Sequence, residues 1–390
     1  MEFKVPFRGR SHHYTEDEIQ TVVEVMRSTG NLTQGEHLKN FQTKFANYIG
    51  SSHCFGVMNA TVGLDLIAEL CQLQQGEEVI VPSHTFTSSV YPFLKRGASI
   101  KWADIDLNTF VVSEEQIEPL ISSKTRAIIV PHLYGYVANM PAIRKLADQH
   151  GLILIEDSAQ VIGCEIEGKS AGTFGHFGVF SFHSHKNITT LGEGGMLVVE
   201  KDEHASLIPM MRHNGHCAFQ FEREDYWIPA MGNVDIPQLN GKDLAVNNFC
   251  IGEAEAALGA KMLDRVDEIN DQKRQKALIF IDNLKPHSNM IFLRNETRRH
   301  NYHLLVCYET SGKRNEFIRS MAYEHGIQCI AQYCPLNRYD YYKKQGLGDA
   351  ALPNTDMFYD NMISFPFHHC LSEDDLNYMM ECSLKTLKSL

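Results

Sequence analysis

Between residues 55 and 200, short unbroken apolar runs alternate with stretches of helical period. Glu77-Glu78-Val79-Ile80-Val81-Pro82, Arg126-Ala127-Ile128-Ile129-Val130-Pro131 and Leu152-Ile153-Leu154-Ile155-Glu156-Asp157 each read as a buried strand that ends in Pro or a polar residue. Continuous rather than alternating apolar runs predict parallel strands covered on both faces. Between the last two lies the segment Met140 to Gly151, with Pro141 in its first turn, an i/i+3 apolar pair and a closing Gly. Those signals predict a helix. Strand, helix and strand together predict a large α/β domain with a doubly wound, mostly parallel sheet. In such sheets ligands sit beyond the carboxyl ends of the strands. Residues 250–280 read as one long helical stretch, with Ala256-Ala257-Leu258 and Met262-Leu263 on its apolar face. A mixed α/β pattern rich in tyrosine follows. The expected division is a large domain over 1–250 and a smaller α/β domain over 251–390.

Charge narrows the partners. The 390-residue chain has 36 Lys+Arg and 48 Asp+Glu, a net charge of −12. That balance lacks the basic stripe of a nucleic-acid binder or a polybasic membrane-surface module. It leaves a phosphate ligand open, since backbone N–H groups and one or two cations suffice for that. The ten cysteines include no CxxC pair, so no metal site is expected from them. No run of about 18 apolar residues predicts a transmembrane helix. Met1 to Arg10 lacks the apolar core of a secretory signal. Scattered thiols without a signal fit a reducing cytoplasm, and a cytoplasmic protein is the expectation.

Several familiar chemistries are missing. Gly192-Glu193-Gly194-Gly195 lacks the G-x-G-x-x-G spacing, and neither a P-loop nor a G-x-S-x-G elbow occurs. Three segments carry more. Asn59-Ala60-Thr61-Val62-Gly63 opens a helical pattern, which makes it either an ordinary N-cap or an anion site on free N–H groups. Asp157 closes an apolar strand, where a carboxylate can cap a helix or hold a cationic ring nitrogen. Lys186 follows Phe180-Ser181-Phe182-His183-Ser184-His185, an aromatic and His-rich setting. Desolvation and nearby cations there would lower its pKa and free a nucleophilic amine, as in a Schiff-base lysine.

Taken together, these segments resemble the DegT/DnrJ-type sugar aminotransferases, pyridoxal 5′-phosphate (PLP) enzymes of fold type I, the aspartate aminotransferase fold. The resemblance runs essentially end to end. It covers Leu32-Thr33-Gln34-Gly35, Asn59-Ala60-Thr61, Val81-Pro82-Ser83-His84-Thr85-Phe86, Glu156-Asp157-Ser158-Ala159-Gln160, the S-F-x-x-x-K stretch 181–186, the G-E-G-G turn and Ile363-Ser364-Phe365-Pro366 through His369. It implies that Lys186 carries the cofactor and moves the proton between the substrate Cα and the cofactor C4′. It implies that Asp157 pairs with the pyridine nitrogen, Phe86 stacks on the ring and Gln160 lies near the ring oxygen. Ala60, Thr61, Val62 and Ser181 would hold the phosphate. Asn248 is the best match to an Asn that reaches the phosphate from a second subunit, which implies a homodimer with shared sites.

The reaction so implied moves an amino group from L-glutamate to a keto-sugar, with a nucleotide-linked 4-keto-6-deoxyhexose as the expected acceptor. A 3-keto sugar or a smaller non-nucleotide carbonyl is the alternative. The departures bear on that acceptor. Phe249-Cys250-Ile251 lacks an Arg usual in the family, Gln332 stands where a His is common, and 212–247 is long, with Tyr226-Trp227-Ile228-Pro229 inside it. Some relatives replace the lysine by His and remove a sugar hydroxyl. Counted from Ser181, the sixth position is Lys186, which favours amine transfer over that dehydration. Others were first described as regulators of gene expression, a reading that the complete cofactor constellation and the lack of a DNA-reading element oppose.

Overall fold

The computed structural model describes residues 2–10, 12–219 and 232–390; Tyr226-Trp227-Ile228-Pro229 lies outside them. A seven-stranded sheet contains β1 (Cys54–Val57), β2 (Glu78–Pro82), β3 (Ser99–Ala103), β4 (Thr125–Pro131), β5 (Ile153–Asp157), β6 (Phe177–Ser181) and β7 (Gly195–Val199). Their spatial order is β1-β7-β6-β5-β4-β2-β3. β7 runs antiparallel to both of its neighbours, and every other adjacent pair is parallel. The three apolar runs are thus β2, β4 and β5.

Their unbroken apolar character has a direct cause, since alternate residues enter two different cores. Val79, Val81, Ile129 and Ile155 pack on one face with Leu64 and Ile67 of the helix Ala60–Leu70. Ile80, Ile128, Val130 and Leu154 pack on the other with Ile143 and Leu146 of the helix Met140–His150. Each such side chain contributes about 1.5–3 kcal/mol on burial. The second helix ends where expected, at Gly151, whose positive φ of 63° suits a residue without a Cβ.

The predicted long helix over 250–280 is two helices, Glu253–Met262 and Val266–Leu284, joined by a 3₁₀ turn at Leu263–Arg265. The first puts Ala256, Leu258 and Met262 into a core with Leu38, Phe41 and Phe45. The second carries Ala277, Phe280 and Ile281 into a different core. One straight rod could not serve both, so the chain bends between them. The latter core lies under an antiparallel sheet of β8 (Met290–Phe292), β9 (Leu305–Glu309) and β10 (Met362–Phe365), with the helices Arg314–Tyr323 and Glu373–Ser389.

Glu253 also has a distant task. Its buried carboxylate accepts from the N–H groups of Gly35, His37 and Leu38 at 2.8, 2.8 and 3.2 Å. It thereby caps the helix Glu36–Ile49, whose own N-cap residue, Gly35, has no side chain. A Cβ on Gly35 would stand 2.6 Å from Glu253 Oε2. Among the described residues no helix is long and apolar enough to cross a membrane, and no cluster of three His, Cys, Asp or Glu could hold a metal ion.

Candidate active site

A cavity of about 510 Å³ opens at the carboxyl ends of the central strands. Ala60, Thr61, Phe86, Asp157, Gln160, Ser181 and Lys186 all line it. Seven of the residues singled out in the sequence, scattered over more than 120 positions, therefore meet in one place. Val62 and Asn248 do not line it. The Val62 N–H instead donates to Asn59 Oδ1 at 3.1 Å, which is the N-cap bond of the helix Ala60–Leu70. Asn248 is exposed and bridges to His213.

Asp157 and its neighbour Glu156 show how one strand end separates two carboxylates. Successive side chains point to opposite faces. Glu156 is fully buried and accepts from Gly172 N, Gly175 N and His132 Nε2 at 2.9, 2.7 and 3.1 Å. Those bonds tie down a loop and leave nothing for a ligand. Asp157 accepts from Ser89 Oγ at 2.6 Å and from Ala159 N at 3.2 Å, and it also borders the cavity. Two anchoring donors fix its orientation.

Lys186 lies on the connection between β6 and β7. Phe182 N to Gly194 O, Ser184 N to Gly192 O and Lys186 N to His183 O shape that loop. The Lys186 carbonyl is bonded in turn to His12 Nε2. Burial pulls the ammonium pKa down to about 8, against the opposing pull of the Asp157 charge. A lysine so placed offers a usable fraction of neutral amine near neutral pH, as a nucleophile requires.

The helix Ala60–Leu70 starts at the same cavity, and its first N–H groups have no partner within the helix. Thr61 Oγ1 and Ser88 Oγ stand 2.8 Å apart beside it. Gly195, the last residue of the G-E-G-G turn, lets β7 pass close to this helix start. A Cβ there would lie 2.6 Å from the Asn59 carbonyl carbon. That glycine therefore serves close packing around the anion end, where the sequence alone offered only a turn.

The outer wall comes from Phe7, His303, Leu304, Gln332 and Tyr333. The Tyr333 ring meets Phe86 edge-on at 6.2 Å between centroids. Its hydroxyl accepts from Gln160 Nε2 at 3.2 Å, while Gln160 Oε1 accepts from Tyr134 N at 2.7 Å. Burial pushes the Tyr333 phenol up to about 12, so it stays protonated. Gln332, flagged as a departure, lines the cavity and donates from Nε2 to Ser364 Oγ at 3.2 Å. Sequence reasoning missed Ser88 and Ser89, although they stand two and three residues after Phe86. It also missed His303 and Tyr333, which carry no local signal.

An amine of lowered pKa, an anchored carboxylate, a helix N-terminus ringed by hydroxyls and an aromatic ring share this cavity. They match, in turn, the aldehyde, ring nitrogen, phosphate and ring face of pyridoxal phosphate. Fold and site together define a fold type I PLP-dependent enzyme. The chain belongs to the DegT/DnrJ/EryC1/StrS aminotransferase family, whose model matches residues 12–383. It is 29% identical over 388 residues to the spore coat polysaccharide biosynthesis protein SpsC of Bacillus subtilis, covering 98% of this chain and 95% of the relative. It is 35% identical over 248 residues to the GDP-perosamine synthase of Vibrio cholerae, covering 64% and 62%. The solved structure of Helicobacter pylori PseC, an aminotransferase involved in the biosynthesis of pseudoaminic acid, shares the fold, with a TM-score of 0.87, 24% identity and full coverage of both chains. The protein is a PLP-dependent aminotransferase of a family that acts on sugars.

Proposed function

We propose that the chain moves the amino group of L-glutamate to a nucleotide-linked 4-keto-6-deoxyhexose, giving an amino sugar for a surface polysaccharide. The observation that carries this reading is the shared cavity of Lys186 and Asp157 at the sheet's carboxyl edge. The acceptor class draws on the named relatives, one a GDP-perosamine synthase and one a polysaccharide biosynthesis protein. Bound PLP supplies the electron sink that stabilises a carbanion at the donor Cα. Lys186 would move the proton between the donor Cα and the cofactor, and the reverse for the acceptor. Asp157, held by Ser89 and Ala159, would pair with the pyridine nitrogen. The N–H groups of Ala60 and Thr61, with the Thr61, Ser88 and Ser181 hydroxyls, bind the phosphate; Val62 supports them from within the same capped turn.

Phe86 is 54% exposed in the single chain, unusual for a ring bordering an active cavity, and a stacked cofactor would cover it. Exposed Met58 neighbours the cavity residue Asn59, and its N–H is bonded to Phe249 O, the residue after Asn248. The proposal includes a homodimer in which Asn248, exposed and outside its own chain's cavity, serves the partner's phosphate. The test is the near-visible absorbance of purified protein loaded with PLP. L-glutamate should convert the cofactor band to the pyridoxamine form, and a nucleotide-linked 4-keto-6-deoxyhexose should restore it. A band that glutamate leaves unchanged refutes the donor; a band restored only by a 3-keto or non-nucleotide carbonyl refutes the acceptor.

A further inference from the structure

A second buried lysine stands beside the loop of the first. Lys273, on the helix Val266–Leu284, is 2% exposed. Its Nζ donates to Asn187 Oδ1 at 3.0 Å and to His303 O at 2.9 Å. Among the described residues it has no carboxylate partner, and the charge that acts on it is another cation, Lys276. Burying an ammonium group without an acid opposes folding, and a methionine would fill the same space without that cost. The amine is therefore best understood through what it holds.

What it holds is the catalytic loop. Asn187 directly follows Lys186, and its Nδ2 donates to Asn270 Oδ1 at 2.7 Å, one turn before Lys273 on the same helix. Asn187 Oδ1 also meets His303 Nδ1 at 3.3 Å. An amide oxygen only accepts, so Nδ1 carries the imidazole proton and Nε2 keeps the lone pair. Burial, then the charges of Lys186 and Lys273, hold the His303 pKa well below its ordinary value, which keeps the ring neutral. His303 lines the cavity.

We propose that Lys273 is a positioning residue for Lys186: through Asn187 and the His303 carbonyl it fixes where the catalytic amine sits. The proposal rests on the reading of Lys186 as the cofactor lysine. The ionisable groups facing Lys186 are Asp157 on β5, His183, His185 and Glu193 on its own loop, His12 before the first helix, and His303 and Tyr333 from the outer wall. Substitution at position 273 replaces none of these side chains, though it removes a charge that acts on His12 and His303.

The test uses reductive ¹³C-methylation of the cofactor-free protein, with the Lys186→Ala spectrum identifying the Lys186 resonance. Lys273→Met should move the Lys186 midpoint upward by about 1 pH unit, as a loosened loop admits water. In the PLP-loaded protein it should lower kcat by about 10- to 100-fold while KM for the amino donor stays within about twofold. Asn187→Ala, which removes the shared acceptor and leaves the helix intact, should reproduce both changes. A folded Lys273→Met with native midpoint and kcat overturns the proposal. Should that variant not fold, a native midpoint in Asn187→Ala overturns it equally. The midpoint is read without cofactor or substrate, so it stands even where the transamination assay fails; native transamination with an unmoved midpoint refutes the positioning role alone.

Discussion

The floor and the outer wall of the cavity are built in different ways. The floor consists of Asp157, Ser181 and the start of the helix Ala60–Leu70, each the direct continuation of a sheet strand, with Lys186 five residues past Ser181. The outer wall is drawn from Phe7, His303, Leu304, Gln332 and Tyr333, which lie far apart in the chain and outside the seven-stranded sheet. On the proposed function, the residues that would hold the cofactor sit on rigid strand ends, and the wall that would meet the acceptor sits on segments that can vary independently. Changes to the floor should therefore act on turnover itself, and changes to the wall on substrate affinity.

The largest effect belongs to Lys186→Ala, which should lower turnover by about 10³-fold or more while the protein still folds; steady-state kinetics and circular dichroism check both parts. Asp157→Asn keeps the shape but removes the charge from the ring nitrogen, and kcat should fall by about 100-fold. A near-native rate would mean that the floor does not depend on this carboxylate. The pH dependence of PLP capture by cofactor-free protein comes next. Only the neutral Lys186 amine attacks, and its ammonium loses the proton at about 8. The capture rate should rise about tenfold per pH unit below that value and level off above it, in stopped-flow absorbance. An ordinary lysine would go on rising toward pH 10. Tyr333→Phe, a wall change, loses one hydrogen bond to Gln160, worth about 1 kcal/mol. The acceptor KM should rise roughly fivefold with kcat little altered; a larger loss in kcat would erase the division between wall and floor.

This division also explains what was legible in the sequence. β2, β4 and β5 were readable because both faces of each strand are buried, which leaves an unbroken apolar run. Asp157 stands at the end of such a run and inherits its legibility, whereas Lys186 was readable from the aromatic and His-rich stretch that precedes it. Ser89 was not readable: its bond to Asp157 spans 68 residues, and a lone serine has no periodicity. His303 meets Asn187 across 116 residues, a contact between two loops that only the tertiary packing brings together. The break at Leu263–Arg265 was hidden for a related reason. The apolar pattern continues through it, and only the direction in which each half is buried changes.

The carboxylate of Glu253 reaches back 218 residues to close the start of the helix Glu36–Ile49. A ribosome delivers those two partners far apart in time. While the chain emerges, the helix after Gly35 has its apolar face and its sequence but no lid for its first N–H groups, and the glycine can offer none. That turn is closed only after a residue 218 positions further along has been synthesised, so this helix start waits on a much later segment for its cap.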